Sequence, residues 1–97
     1  MASGTINFIP DKVTLYNLTK ESSHTFTMLD SSVCVFAGRQ NTSVLFGDIL
    51  DYWSASPQTA FGSRPNWMTY TKSAGSYQFT INNTGSSAVP LIIIGAI

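Results

Sequence analysis

The stretch Tyr77-Gln78-Phe79-Thr80-Ile81-Asn82 alternates strictly between aromatic or aliphatic residues and polar ones. Successive side chains of a β-strand point to opposite faces of the sheet, so this alternation predicts a strand with one buried face and one solvated face. Sheets that contact water on one side are characteristically antiparallel. The stretch therefore indicates an all-β fold built from antiparallel strands.

The same period of two recurs along the rest of the chain. It predicts further strands at residues 5–9, 12–18, 24–29, 32–37 and 67–71, and a last strand in the closing residues. Turn-forming residues, among them Pro10-Asp11 and Ser73-Ala74-Gly75, separate these runs. Strands that follow one another at such short intervals are typical of sandwiches and barrels. We expect a jelly-roll-like antiparallel β-sandwich of about eight strands, with room for one short helical turn.

Length and composition restrict the class of protein. A chain of 97 residues forms one domain, here residues 1–97. Charged residues make up 10% of the chain and the net charge is zero, whereas an ordinary domain has about 25% charged residues. Five scattered cations cannot form the basic stripe of a nucleic-acid-binding protein. Because little charge keeps copies apart, we expect a homo-oligomer.

One segment does not follow the strand period. Residues 43–53 place apolar side chains at helical spacing, namely Leu45, Phe46, Ile49, Leu50 and Trp53. Thr42 or Ser43 could cap such a helix, whereas Gly47 would weaken it by about 1 kcal/mol relative to alanine. A strand as far as Phe46 followed by a helical turn is equally compatible with the pattern. Both readings stay open at this stage.

Residues 54–66 show no convincing period and contain Pro57, Gly62 and Pro65. A loop of that length in so small a domain is often functional. Aromatic faces beside polar groups suit carbohydrates or flat protein surfaces. The candidate binding residues are therefore Trp53, Phe61, Arg64 and Trp67. The alternative is that the two tryptophans belong to the core at the two ends of the loop.

The closing residues are apolar without alternation. A strand that is apolar on both faces must be covered on both, either inside a sandwich or by a neighbouring copy. The candidate oligomer interface is formed by Leu91, Ile92, Ile93, Ile94 and Ile97. This run is too short to cross a membrane as a helix, and the first residues carry no basic segment or apolar stretch typical of a signal peptide.

Few residues could support catalysis. His24 is the only histidine, and it has no evident nucleophile to activate. Asp48 and Asp51 would share a face only if their segment were helical, and such a pair more often caps a turn or is solvated. Cys34, between two valines, is expected to be a core residue. We therefore expect no enzymatic activity, no metal site and no cofactor.

The sequence GSYQFTINNTGSSAVPLIIIGAI, residues 75–97, resembles the C-terminal ends of small β-structured virion proteins of bacteriophages and prophages. In tail-fibre tips and head-decoration proteins such a strand often packs in a homotrimer. The resemblance implies a non-enzymatic virion protein, made in the host cytoplasm, that self-associates and presents loops to capsid or tail proteins or to host surface glycans. The alternative hypothesis is a monomeric, lectin-like carbohydrate-binding module.

Overall fold

A computed structural model describes residues 13–29, 33–39 and 45–97 of the chain. The described residues form antiparallel strands and contain no helix. The strands are β1 (Val13–Leu18), β2 (Ser22–Thr27), β3 (Val33–Arg39), β4 (Leu45–Asp51), β5 (Gln58–Gly62), β6 (Met68–Lys72), β7 (Gln78–Asn83) and β8 (Val89–Ile94). The strand predicted at residues 5–9 and the helix caps considered at Thr42 and Ser43 lie outside the described residues.

These strands form two sheets. The first sheet has the order β1-β8-β3-β4-β5 and the second the order β2-β7-β6. In a jelly roll the pairs are nested, first strand with eighth, second with seventh, third with sixth and fourth with fifth. The protein keeps the β1–β8, β2–β7 and β4–β5 pairs, whereas β3 lies between β8 and β4, and β6 pairs with β7. The predicted class, an all-β antiparallel sandwich, is confirmed.

Apolar side chains fill the space between the sheets. From β7, Phe79 and Ile81 point inward and are almost wholly buried, as their alternation with polar residues predicted. Phe79 stacks on Phe26 of β2 at a centroid distance of 5.7 Å. The ring of Phe36 from β3 meets Phe79 edge-to-face, with their centroids 6.3 Å apart. Aromatic pairs at these separations add stability beyond their buried area. The core therefore joins the two sheets through residues of three separate strands.

The segment that the sequence left open between helix and strand is a strand as far as Asp51. Phe46, Asp48 and Leu50 point inward, whereas Leu45 and Ile49 point outward. Because both faces of β4 carry apolar residues, the strand lacks the alternation that would have identified it. The helical spacing of residues 43–53 results from this two-sided pattern, and no helical turn follows Phe46.

The segment interpreted as a loop contains an edge strand. β5 lies at one side of the first sheet and pairs with β4, with a shift of register between Gly47 and Asp48. All of its side chains are exposed, so no buried face produces a period in the sequence. The prediction of a continuous irregular loop over residues 54–66 was wrong at these positions.

The chain leaves the first sheet at its C-terminal end and joins the second. Gly95 has a φ of 91°, and a Cβ there would lie 2.9 Å from the carbonyl oxygen of Val33. Beyond this bend Ala96 is buried opposite Met28. The amide of Ile97 donates to the carbonyl of Thr27 at 3.0 Å. The closing residues thus connect the two sheets at one edge of the sandwich.

Candidate functional site

Two neighbouring rows on the outer face of the first sheet are apolar, apart from Gln58 of β5 at the end of the second row. Strand register aligns the outward residues in rows, of which one contains Leu15, Ile92, Ala37, Gly47 and Phe61. The neighbouring row contains Val13, Ile94, Val35 and Ile49. We call these nine residues the apolar sheet face. Leu15 is 74% exposed and Ile92 is 49% exposed, so nothing in the described chain covers it.

The apolar sheet face is concave at its centre. Gly47 has no side chain, and the ring of Phe61 from the edge strand lies directly over it, where a Cβ would collide with the ring. Beside it Ala37 supplies only a methyl group. A depression over Ala37 has a volume of about 770 Å³, and its lining includes the apolar residues Leu15, Leu45, Phe61, Pro90 and Ile92 and also Asn17 and Arg39. A concave apolar surface of this kind is a characteristic binding surface.

The structure divides the five residues predicted to form an oligomer interface. Leu91 and Ile93 point inward and belong to the core of a single copy. Ile92 and Ile94 point outward and lie at the centre of the apolar sheet face. Ile97 is 62% exposed beside β2. Only the outward residues of this run are therefore free to contact another molecule.

The outer face of the second sheet has the opposite character. Its outward residues are short polar ones, and they bond to one another across the strands. The Ser23 hydroxyl donates to Oδ1 of Asn82 at 2.7 Å, and the hydroxyls of Thr25 and Thr80 lie 2.8 Å apart. Nδ2 of Asn82 donates to the hydroxyl of Thr71 at 3.2 Å. This face is suited to contact with water.

The structure does not bring together the four residues predicted to bind a ligand. Phe61 lies on the outer side of the first sheet, over Gly47. Arg64 reaches the inner side of the same sheet, where its Nη1 donates to Oδ2 of Asp48 at 2.9 Å. The partly buried ring of Trp67 packs against the core and lies against Gly85, in the turn between β7 and β8. Trp53 alone is highly exposed, at 68%.

Arg64 is part of a polar cluster at one edge of the sandwich. Its guanidinium lies 4.7 Å from the centre of the Tyr70 ring, and the Tyr70 hydroxyl donates to Oδ2 of Asp48 at 3.1 Å. Burial, followed by the charge of Asp48, raises the pKa of the Tyr70 phenol well above its ordinary value. Oδ1 of Asp48 has no hydrogen-bond partner among the described residues. The cluster joins β4 of the first sheet to β6 of the second.

The residues considered for catalysis lie apart from one another. Asp48 is buried, whereas Asp51 lies on the opposite face of β4 and accepts the amide of Ser54 at 2.6 Å, so it caps a turn. His24 stacks on Tyr16 at 4.4 Å, and its Nδ1 lies 3.1 Å from the Tyr16 hydroxyl. Cys34 is in the core, and burial raises the pKa of its thiol to about 12. Such a thiol is a poor nucleophile at neutral pH.

Three aromatic rings gather at one end of the molecule. The ring of Tyr52 lies 5.5 Å from Trp53 in an edge-to-face arrangement and 4.5 Å from Tyr77. Trp53 and Tyr77 are both largely exposed. We call these three residues the aromatic end. Sequence analysis found Trp53 but missed both tyrosines, and Tyr77 could be found only through the fold, since it precedes β7.

Among the described residues no group of three or more histidine, cysteine, aspartate or glutamate side chains could hold a metal ion. The same residues include no helix long and apolar enough to cross a membrane. Comparison of the chain with protein-family models, with curated proteins and with solved structures gives no significant match. The function is therefore inferred from the surfaces of the molecule itself.

Proposed function

We propose that the protein is a non-enzymatic structural subunit whose copies associate through the apolar sheet face. The observation that carries this proposal is the exposure of Leu15, Ile92 and Ile94 in two adjoining apolar rows of one sheet. Water contact with such a surface is unfavourable by roughly 25 cal/mol for each Å² of apolar area. A second copy would remove that contact.

The dimensions of the apolar sheet face fit this function. From β1 to β5 the sheet spans about 19 Å at the usual strand spacing, and two rows add about 7 Å along the strands. The two rows mark out about 130 Å² between their Cα positions, so they would form the centre of a contact of about 800 Å² on each partner. Among the described residues of this outer face, charged side chains lie at Arg39, beside the depression, and at Asp51. Little electrostatic repulsion therefore opposes the contact.

The place of assembly is proposed to be a bacteriophage virion, with a homotrimer as the expected form. This part rests on the resemblance of residues 75–97 to virion proteins and on the sparse charge of the chain. Mass spectrometry of particles purified from the producing cells tests it. Peptides of this chain in the particles support the virion assignment, and particles that lack them contradict it.

The association is tested by light scattering after size exclusion over a wide range of protein concentration. The wild-type protein is expected to have a mass that is a multiple of 10.5 kDa. Ile92→Lys and Leu15→Lys place a charge on the apolar sheet face, which opposes its burial in a contact. Each variant should shift the mass towards that of a monomer.

Thr80→Lys is the matched control, because it adds the same charge to the outer face of the second sheet. It should leave the mass of the wild-type oligomer unchanged. Circular dichroism establishes that all three variants keep the fold. A wild-type protein that stays monomeric at every concentration, or an Ile92→Lys variant with wild-type mass, would contradict the proposal.

A further inference from the structure

We propose that the aromatic end, formed by Tyr52, Trp53 and Tyr77, is a binding site for a neutral saccharide. The site does not depend on the association of copies, since it lies in loops beyond the strands that form the apolar sheet face. Trp53 is 68% exposed and Tyr77 is 43% exposed. Large aromatic rings are rarely left in water without a binding role when they are grouped.

The loop that carries these rings is held firmly by its own backbone. Nζ of Lys72 donates to the carbonyl oxygens of Tyr52 and Ser54 at 3.0 and 2.6 Å. The amide of Gly75 donates to the same Tyr52 carbonyl at 2.7 Å. Two adjacent turns are thereby joined beneath the aromatic rings. A platform held in this way loses little conformational entropy when a ligand binds.

Two charged side chains near the site bond to the backbone. Lys72 directs its ammonium group to backbone carbonyls, including that of Ser73 at 3.0 Å. Asp51 accepts the amide of Ser54 through Oδ1. The ammonium group of Lys72 and one carboxylate oxygen of Asp51 are thus engaged within the protein. What the surface offers a ligand is aromatic ring and neutral hydroxyl.

Tyr52 and Tyr77 each carry a phenol hydroxyl beside the exposed ring of Trp53. A sugar combines the two features that match this arrangement. Its C–H groups carry partial positive charge and pack against the electron-rich ring faces, and its hydroxyls donate to and accept from phenols and serines.

Nuclear magnetic resonance of the nitrogen-15-labelled protein tests the site. The probes are glucose, galactose, N-acetylglucosamine and their disaccharides, each added to about 10 mM, since a small aromatic platform should bind with a Kd on the order of 1 mM. One or more of these sugars should shift the indole N–H resonance of Trp53. The resonance of Trp67, whose ring packs against the core, should not move.

Trp53→Ala should weaken that binding at least about tenfold, and its exposed position should leave the fold intact. Asn66→Ala is the control, because it changes an exposed side chain outside both the aromatic end and the apolar sheet face and should leave the affinity unchanged. Absence of any sugar-induced shift at Trp53 overturns the proposal. It is also overturned if Trp53→Ala binds sugar as wild-type does, or if the Trp53 resonance responds to protein concentration instead, which indicates a contact between copies.

Discussion

The two outer faces of this sandwich are built on the same strand geometry and present opposite chemistry. On the first sheet the outward residues of β8 are Pro90, Ile92 and Ile94, and each of the last two is more than a third exposed. On the second sheet the outward residues of β7 include Thr80 and Asn82, which bond to neighbouring strands. Strand period alone therefore does not determine which faces contact water.

The comparison shows what each face needs. Hydroxyls and amides of the second sheet satisfy one another and remain hydrated, so that face is stable as it stands. Aliphatic side chains of the first sheet have no such partners, and burying them away from water lowers the free energy. This difference is the physical basis for assigning association to the first sheet and a solvent-facing surface to the second.

The largest loss of stability is expected when residues 91–97 are removed. This deletion takes away most of β8, which lies between β1 and β3, together with the residues that connect the sheets. The core loses Leu91, Ile93 and Ala96 at once. We expect loss of folding, measured by circular dichroism and heat denaturation. A folded, soluble monomer after the deletion would contradict this role for the closing strand.

Two single substitutions in β8 compare the contribution of its inward side to stability with that of its outward side. Ile93→Thr places a hydroxyl in the core and should lower the free energy of unfolding by about 2–4 kcal/mol. Ile92→Thr changes a half-exposed side chain and should lower it by less than about 1 kcal/mol. Both variants are measured at a protein concentration where the chain is monomeric, and equal losses there would show that the outer face is already covered within one copy.

The stability of the fold at alkaline pH tests whether water is excluded from the space between the two sheets. Burial raises the pKa of the Cys34 thiol from 9.0 to about 12, and it also raises that of the Tyr70 phenol. The unfolded chain releases these protons at lower pH than the folded chain, so high pH favours unfolding. Stability from Cys34 is complete below pH 9 and should fall by about 1.4 kcal/mol per pH unit up to about pH 12.

Denaturant titrations at a series of pH values measure this fall. Cys34→Ala and Tyr70→Phe each remove one ionisable group, so each should make the decline with pH less steep, although both variants start from lower stability. The comparison is between slopes, which do not depend on that starting level. A wild-type protein whose stability is constant from pH 8 to about pH 11 would show that neither group is kept from water.

The sequence predicted most of the strands, including β8, but it left β4 open between helix and strand and missed β5. β7 and β1 alternate and were located within one residue of their observed bounds. β4 is apolar on both faces, which produces spacings that a helix also has. β5 is exposed throughout, so its pairing with β4 leaves no trace in its own composition.

The candidate sites were predictable only where one segment supplies them. The sequence left Trp53 open between a binding residue and a core residue, and its 68% exposure places it on the surface. By contrast, Arg64 and Asp48 form an ion pair only in the folded chain, and no pattern in the sequence predicts it. Tyr77 joins Tyr52 because β7 begins beside the end of β4, which is a consequence of topology.

The smallest effect is expected when polar residues on the outer face of the second sheet are replaced by apolar ones. Thr25→Val combined with Thr80→Val replaces a pair of bonded hydroxyls by methyl groups of similar shape, so both partners become apolar together. Replacing both partners in this way is nearly neutral, and the free energy of unfolding should change by less than about 1 kcal/mol. If exposed apolar area drives association, the double variant should gain a concentration-dependent increase in mass that the single Thr80→Val variant shows more weakly. Unchanged mass would mean that association requires the concave centre of the first sheet, and not apolar character alone.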